Sequence, residues 1–144
     1  MAKQVSYREL SPVIKDTVNS GGSFPLVVTG VSMKPFLNGR DTVILAPADE
    51  LCVGDIVLAE ILPGVPFLHR IIRLTDNTFV MRGDAHVRPE PEAARDVIVA
   101  KVISVNRNNR QRKPNTPIIR FLVKLNFFRV TVLSFLFNNK TPSQ

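Results

Sequence analysis

Between residues 24 and 105, short runs of β-branched and aliphatic residues alternate with residues that form turns. The turn residues include Pro47, the pair Pro63-Gly64 and the pair Asp76-Asn77. At least six short strands separated by turns predict a mostly β domain. The predicted strands span residues 24–29, 42–46, 55–61, 67–74, 78–82 and 96–105.

Helical patterns occur near both ends of the chain. Residues 5–18 predict a short amphipathic helix with Leu10, Ile14 and Val18 on one face, and Gly21-Gly22 ends it. The predicted parts of the chain are a domain of residues 1–106, a basic linker of residues 107–117 and an amphipathic segment of residues 118–144.

The segment of residues 118–137 is long enough for a membrane span, but basic residues interrupt it. Arg129 lies near its centre, where insertion into a bilayer costs about 2.5–3.5 kcal/mol. The helix is otherwise rich in Phe and Leu. Helical spacing puts four polar residues roughly on one side, with Phe127 as the exception: Arg120, Lys124, Thr131 and Ser134. This pattern predicts a helix in the plane of a membrane interface. A helix packed on the core, or one that forms an oligomer interface, remains the alternative.

Charge is divided unevenly along the chain. The first 96 residues carry ten basic and twelve acidic residues, a net charge of −2, whereas residues 97–144 carry nine basic residues and no acidic one. A basic C-terminal part suggests an anionic partner, either a membrane surface or a nucleic acid. We favour the membrane surface and do not expect nucleic acid as a partner.

Cysteine and histidine are scarce. Cys52 is the single cysteine, which excludes an internal disulfide framework and a cysteine-based zinc site. Two histidines leave little for a histidine metal site. We expect no metal and no organic cofactor. Residues 1–12 are polar and lack the apolar core of a secretory signal. We therefore expect a protein that is cytoplasmic or peripheral at the membrane.

Three short boxes occur in order within the predicted β domain. They are Ser32-Met33-Lys34-Pro35, Leu68-His69-Arg70-Ile71 and Arg82-Gly83-Asp84. In this order and spacing they resemble the catalytic core of the signal peptidases and LexA-like serine peptidases, the S24/S26 superfamily. The resemblance covers about residues 26–105. It implies a mostly β, barrel-like fold and a serine endopeptidase that cleaves a peptide or protein substrate.

The resemblance implies that Ser32 is the nucleophile, since it occupies the serine of a Gly-x-Ser-Met-x-Pro sequence. Gly30, Met33 and Pro35 are then candidates for substrate binding and for the oxyanion site. Many signal peptidases have a serine where this chain has Gly30, so the oxyanion hole must use backbone N–H groups, such as that of Ser32. The alternative is that Ser32 is an ordinary turn serine.

The resemblance also proposes His69 as the general base. The archaeal and endoplasmic-reticulum signal peptidases place a histidine in a His-Arg-Ile/Val sequence, which His69-Arg70-Ile71 matches, whereas other members use a lysine. Lys34 is too close to Ser32 in sequence to be that lysine. Imidazole has an unperturbed pKa of about 6.5, which suits a base near pH 7. The alternative is a buried histidine whose hydrogen bonds are satisfied within the core.

A third, acidic group is expected to orient the histidine. In the endoplasmic-reticulum type an acid lies seven residues after the glycine of the Gly-Asp box, which here is Glu90, and Asp84 is the competing candidate. A carboxylate bonded to the imidazole fixes its tautomer. Alternatively, Asp84 caps a turn and Glu90 is a solvated loop charge. We expect His86 to be a surface loop residue.

Other functions remain open on the same fold. One is a non-catalytic module that binds a peptide or a membrane. Another is a self-cleaving regulator, although this chain has no Ala-Gly cleavage pair before Ser32 and no room for a helix-turn-helix domain. An oligomer is possible in each case.

Overall fold

The computed structural model describes residues 6–138. Helix α1 spans Tyr7–Asn19 and helix α2 spans Pro117–Asn138. Between them lie eight strands and one 3-10 turn, Arg95–Val97. The strands are β1 Phe24–Val27, β2 Thr42–Ala46, β3 Ile56–Leu62, β4 Val65–Leu74, β5 Thr78–Arg82, β6 Ala93–Ala94, β7 Ile98–Arg107 and β8 Arg110–Arg112.

The strands form one antiparallel sheet in the order β1-β2-β7-β3-β4-β5-β6, and β8 pairs with β7. The sheet is not closed. The predicted fold class is confirmed: the chain is mostly β, with a helix at its N-terminal end and a helix at its C-terminal end. Strand β1 lies at one end of this order, so within residues 6–138 one of its edges is free of strand pairing.

Strand β3 has buried residues on both of its faces. Successive side chains of a strand point to opposite faces, and Val57 and Leu58 accordingly belong to two different hydrophobic clusters. The cluster around Leu58 includes Ile14 of α1, whereas the cluster around Val57 includes Phe79 of β5. The N-terminal helix therefore covers one side of the sheet.

A carboxylate on β3 holds α1 in place. The Tyr7 hydroxyl, the Ser11 hydroxyl and the Lys15 ammonium donate hydrogen bonds to Glu60 at 2.8, 3.1 and 3.0 Å. Burial raises the pKa of Glu60, but the bonds from Lys15, Tyr7 and Ser11 outweigh it and hold the pKa below its usual value. The carboxylate therefore stays ionised where three side chains of one helix converge.

Two of the short strands have no counterpart in the sequence-based prediction. Strands β6 and β8 contain two and three residues, too few to show an alternating pattern. Asn108 and Asn109 join β7 to β8 with φ values of 51° and 62°, and two positive φ angles in a two-residue loop are the geometry of a type I′ hairpin. Part of the segment predicted as a basic linker, residues 107–117, is therefore paired with the sheet.

Helix α2 contacts the sheet through its middle. The buried Asn126 side chain donates a 2.8 Å hydrogen bond to the backbone oxygen of Asp84. The guanidinium of Arg82 lies 3.6 Å from the centre of the Phe127 ring. Phe127, which interrupts the polar side of the predicted helix, thus faces the protein. Within residues 6–138, neither helix combines the length and apolarity that crossing a membrane requires.

Arg70 of β4 joins four parts of the chain. Its guanidinium is buried and binds both carboxylate oxygens of Asp84, at 2.9 and 2.8 Å. It also donates to the backbone oxygens of Gly54 and Pro114 at 2.8 and 3.1 Å. Bidentate pairing with further bonds is the arrangement that compensates the desolvation of a buried ion pair.

We predict that Asp84→Ala will lower the free energy of unfolding by about 3–5 kcal/mol, because it leaves the buried Arg70 without its counter-ion. Urea denaturation followed by circular dichroism measures this change. Glu92→Ala is the matched control, since Glu92 pairs with Arg73 at 3.5 Å while both side chains are largely exposed. That variant is expected to lose less than about 1 kcal/mol. Equal losses in the two variants would contradict the structural role of the buried pair.

Candidate active site

Ser32 lies in the loop between β1 and β2. The loop is closed at its base by the hydrogen bonds of Val28 N–H to Asp41 O (2.8 Å) and Arg40 N–H to Val28 O (3.0 Å). Met33, directly after Ser32, is buried in the core cluster that contains Leu58. Burial of this neighbour holds the loop down, while the Ser32 side chain stays partly exposed.

His69 lies opposite Ser32 on strand β4. Its Nε2 atom is 3.2 Å from Ser32 Oγ. The histidine is only 4% exposed and is paired with Val57 in the register of β3 and β4. Since the two side chains are 37 positions apart in sequence, the sheet rather than local structure brings them together. The predicted nucleophile and base are therefore within hydrogen-bond reach.

Gly83 lies against this pair, where a side chain has no room. A Cβ atom added to Gly83 would lie 2.7 Å from the Ser32 backbone oxygen, 2.8 Å from Nδ1 of His86 and 3.2 Å from Nε2 of His69. Ala85, two residues after Gly83, donates its N–H to the same Ser32 oxygen at 2.9 Å. The glycine thus allows the third box to approach the serine loop closely.

The structure places Glu90, and not Asp84, beside His69. Glu90 Oε1 is 3.5 Å from His69 Nδ1, while both oxygens of Asp84 are bonded to Arg70. A separation of 3.5 Å is within ion-pair range but longer than a good hydrogen bond, and Nδ1 has no hydrogen-bond partner among the described residues. The Glu90 backbone is fixed by its N–H bond to Met81 O at 2.8 Å. A movement of about half an ångström would therefore complete the bond.

Burial controls the charge of His69. Removal from water and, to a smaller extent, the nearby His86 together lower the pKa of His69 from 6.5 to about 4. The imidazole is therefore neutral at pH 7, and one of its nitrogens can accept a proton. The sequence alone suggested an ordinary histidine pKa, because the depth of burial depends on strands that are distant in sequence.

His86 is part of the site, which the sequence did not indicate. It is exposed, as expected for a loop residue, but its ring centre lies 5.4 Å from that of His69 in an edge-on arrangement. Its position directly after the Asp84-Ala85 turn was the available signal. The hydrogen bond from His86 N–H to Gly83 O at 2.9 Å holds it there.

His69, His86 and Glu90 are the residues of the described part of the chain that could hold a metal ion. One ligand atom from each lies within 4.8 Å of the others. Imidazole and carboxylate are ligands that zinc accepts, and ligand atoms on a tetrahedral zinc are about 3.3 Å apart. Side chains would have to close around an ion, whereas the 3.2 Å contact of Ser32 with His69 needs no such movement.

A groove of about 1020 Å³ leads to the side chains of Ser32 and His69. One wall is β1, whose outer edge is free of strand pairing, and the other is the start of β4, with Phe67 and Leu68. The first turn of α1 contributes Tyr7 and Leu10. The groove is thus mostly apolar and ends at the Ser32–His69 pair.

The remaining candidate residues lie around Ser32 in different ways. Gly30 is exposed, has a φ of 84° and lines the groove together with the buried Met33. Pro35 is exposed and does not line the groove. Among residues 6–138, the Ser32 N–H donates to no backbone oxygen. It is available to a bound group.

Comparison with known proteins gives one match. A model of the Peptidase S24-like family matches residues 2–103, which include all three boxes. The match ends before α2 begins. No curated protein and no solved structure matches the chain.

We predict that the NMR signals of the His69 ring will titrate near pH 4 rather than near 6.5, because burial disfavours the charged imidazolium. His86→Gln should raise this midpoint, since it removes a neighbouring positive charge. Arg88→Gln is the control: it removes an exposed charge from the same loop and should leave the midpoint in place. A wild-type midpoint near 6.5 would contradict the burial of the ring in solution.

Proposed function

Because the chain belongs to the Peptidase S24-like family, with its LexA- and signal-peptidase-like fold, we propose that it is a serine endopeptidase with a Ser32–His69 dyad. The observation that carries the proposal is the 3.2 Å separation of Ser32 Oγ and His69 Nε2. A serine hydroxyl is a weak nucleophile and needs an adjacent base to accept its proton. His69 is the base within reach.

In the proposed reaction, Ser32 Oγ bonds to the carbonyl carbon of the scissile peptide while its proton moves to His69 Nε2. Collapse of the tetrahedral intermediate breaks the C–N bond, and His69 gives the proton to the leaving amine. Water then attacks the acyl group by the same path and restores the free hydroxyl. The low pKa of His69 leaves the imidazole unprotonated at pH 7, so it can accept the proton, but it also makes the imidazole a weaker base.

We propose that backbone N–H groups stabilise the negative charge on the carbonyl oxygen. The Ser32 N–H has no backbone acceptor among the described residues and lies beside the nucleophile. The space beside Gly30, which lines the groove, is open, since a Cβ atom added there would contact nothing within 4 Å. A substrate carbonyl can therefore approach from the groove side, which is where an oxyanion donor acts.

Glu90 is proposed as a positioning residue. Its carboxylate lies 3.5 Å from His69 Nδ1, on the side of the ring opposite the atom that faces Ser32. A bond from Nδ1–H to this carboxylate would leave Nε2 unprotonated and would stabilise the imidazolium once it forms. Asp84 has a structural role instead, because Arg70 occupies both of its oxygens.

The groove favours an extended peptide with apolar side chains. The free edge of β1 can pair with a substrate backbone as an added strand. Phe24 and Leu26 of β1 and Phe67 of β4 line the groove and offer apolar contacts to the substrate side chains. Backbone pairing would then provide affinity, and the apolar walls would select the residues near the cleaved bond.

We predict that Ser32→Ala will abolish cleavage of apolar peptide substrates while leaving the denaturation midpoint unchanged, because a partly exposed loop hydroxyl contributes little to stability. A library of fluorogenic peptides, with mass spectrometry of the products, measures this loss. Ser23→Ala removes an exposed hydroxyl just before β1 and should retain activity. Equal cleavage by Ser32→Ala and the wild type would show that Ser32 is not the nucleophile.

Glu90→Gln is expected to lower kcat by about 10²-fold or more with little change in KM, because the carboxylate acts on the base rather than on the substrate. Glu90→Asp should recover part of the rate. Glu92→Gln, which removes a more exposed carboxylate two positions later, serves as the control. A change in KM alone would assign Glu90 to substrate binding.

A further inference from the structure

Ten large apolar residues of helix α2 are exposed, and five of them line up along one side of the helix, its outer face. The positions follow the alternating steps of four and three that place residues on one side of a helix. Its three phenylalanines are 61%, 71% and 67% exposed. The outer face consists of Phe121, Leu125, Phe128, Val132 and Phe135. So large an exposed apolar surface marks an interaction site.

Basic residues accompany this face. Arg120 and Lys124 lie beside it toward one side, and Arg129 lies on the other. All three are exposed. The helix contains no acidic residue, and neither does any position after Asp96. The helix therefore offers apolar and cationic groups together.

The opposite side of α2 is held against the protein, so the outer face has a fixed direction. Asn126 binds the Asp84 backbone, Phe127 lies under Arg82, and Arg120 donates to the Asn115 side chain at 2.8 Å. The linker is tied down as well, since Asn115 donates to Asp55 at 2.7 Å and Pro114 accepts from Arg70. The helix is thus presented by the protein rather than loosely attached.

The charges decide between a membrane and a second copy of the chain as the occupant. The heptad-like spacing of the outer face could form a seam between two helices. Two such helices would bring their arginines and lysines together with no acidic side chain to pair with them, and like charges at close range repel. An anionic bilayer instead buries the apolar side chains and neutralises the flanking cations.

We propose that the outer face of α2 binds the surface of an anionic bilayer, with the helix lying in the plane of the interface. The phenylalanine rings enter the acyl boundary and Lys124 reaches the headgroups. Arg120 and Arg129, which donate hydrogen bonds to Asn115 and Asn126, add positive charge beside the outer face. This proposal concerns a partner of the protein and is independent of the proposed peptidase activity.

Vesicle flotation of the full chain tests the proposal. The wild type should bind vesicles of phosphatidylcholine with phosphatidylglycerol, bind pure phosphatidylcholine more weakly, and lose affinity for the anionic vesicles in 1 M salt. Lys124→Gln should reduce binding about five-fold, since each basic residue near the surface contributes about that factor. Arg8→Gln, an exposed change on α1, should have no effect.

The triple variant Phe121→Ser/Phe128→Ser/Phe135→Ser should lose about a hundred-fold or more in partitioning, because it removes the rings that enter the bilayer. The control is the triple change to serine at Leu62, Val65 and Ile103, which are also exposed, though less than the phenylalanines, and lie on the sheet. Equal partitioning of the two triple variants would overturn the proposal.

Sedimentation equilibrium without lipid tests the alternative occupant of the outer face, a second copy of the chain. We expect the wild type to be a monomer in the absence of vesicles, with no second copy of the chain covering α2. A wild type that fails to float, and that forms a dimer dissociated by the phenylalanine substitutions, would overturn the membrane proposal and assign the outer face to a second copy of the chain.

Discussion

The buried guanidinium of Arg70 is the constraint on which the site depends. Its N–H groups make four hydrogen bonds, to the Asp84 carboxylate and to the Gly54 and Pro114 carbonyls. A charge at this depth is tolerated only when its partners are in place, so β4, the loop after β5 and the approach to α2 must meet at one point. Neighbouring residues of a strand face opposite sides. Fixing Arg70 therefore also fixes the direction of His69.

Proximity in the site comes from the backbone as much as from side chains. Ala85 N–H bonds to the Ser32 oxygen, and Gly83 fits between Ser32 and His69 only because it lacks a Cβ atom. These contacts hold the nucleophile loop against the loop that carries Glu90. Burial of His69, together with the nearby His86, consequently lowers the pKa of His69 to about 4, and the proton acceptor stays neutral at pH 7.

The sequence predicted the longer strands from their local patterns, and it predicted the meeting of Ser32 with His69 from the resemblance of its three boxes to a known family. It did not predict which partner each polar residue takes. Asp84 and Glu90 are both acids in one loop. Asp84 is unavailable to His69 because it pairs with Arg70, which lies 14 residues earlier in the chain. The role of Asn126 was equally hidden, since a lone amide in an apolar helix has no local signature. Partners across a sheet depend on register, which composition and periodicity leave undetermined.

The contacts that attach α2 to the sheet and the contacts proposed for its outer face rest on different forces. Salt therefore affects them differently. The helix meets the sheet through an amide hydrogen bond and the Arg82–Phe127 contact, and no ion pair joins it to the rest of the described chain. These contacts are short and partly buried, so added salt screens them weakly. The cations beside the outer face are exposed, and their attraction to anionic lipid falls as salt rises. A salt titration therefore weakens the proposed membrane contact while the helix keeps its place beside Asp84 and the Ser32 loop.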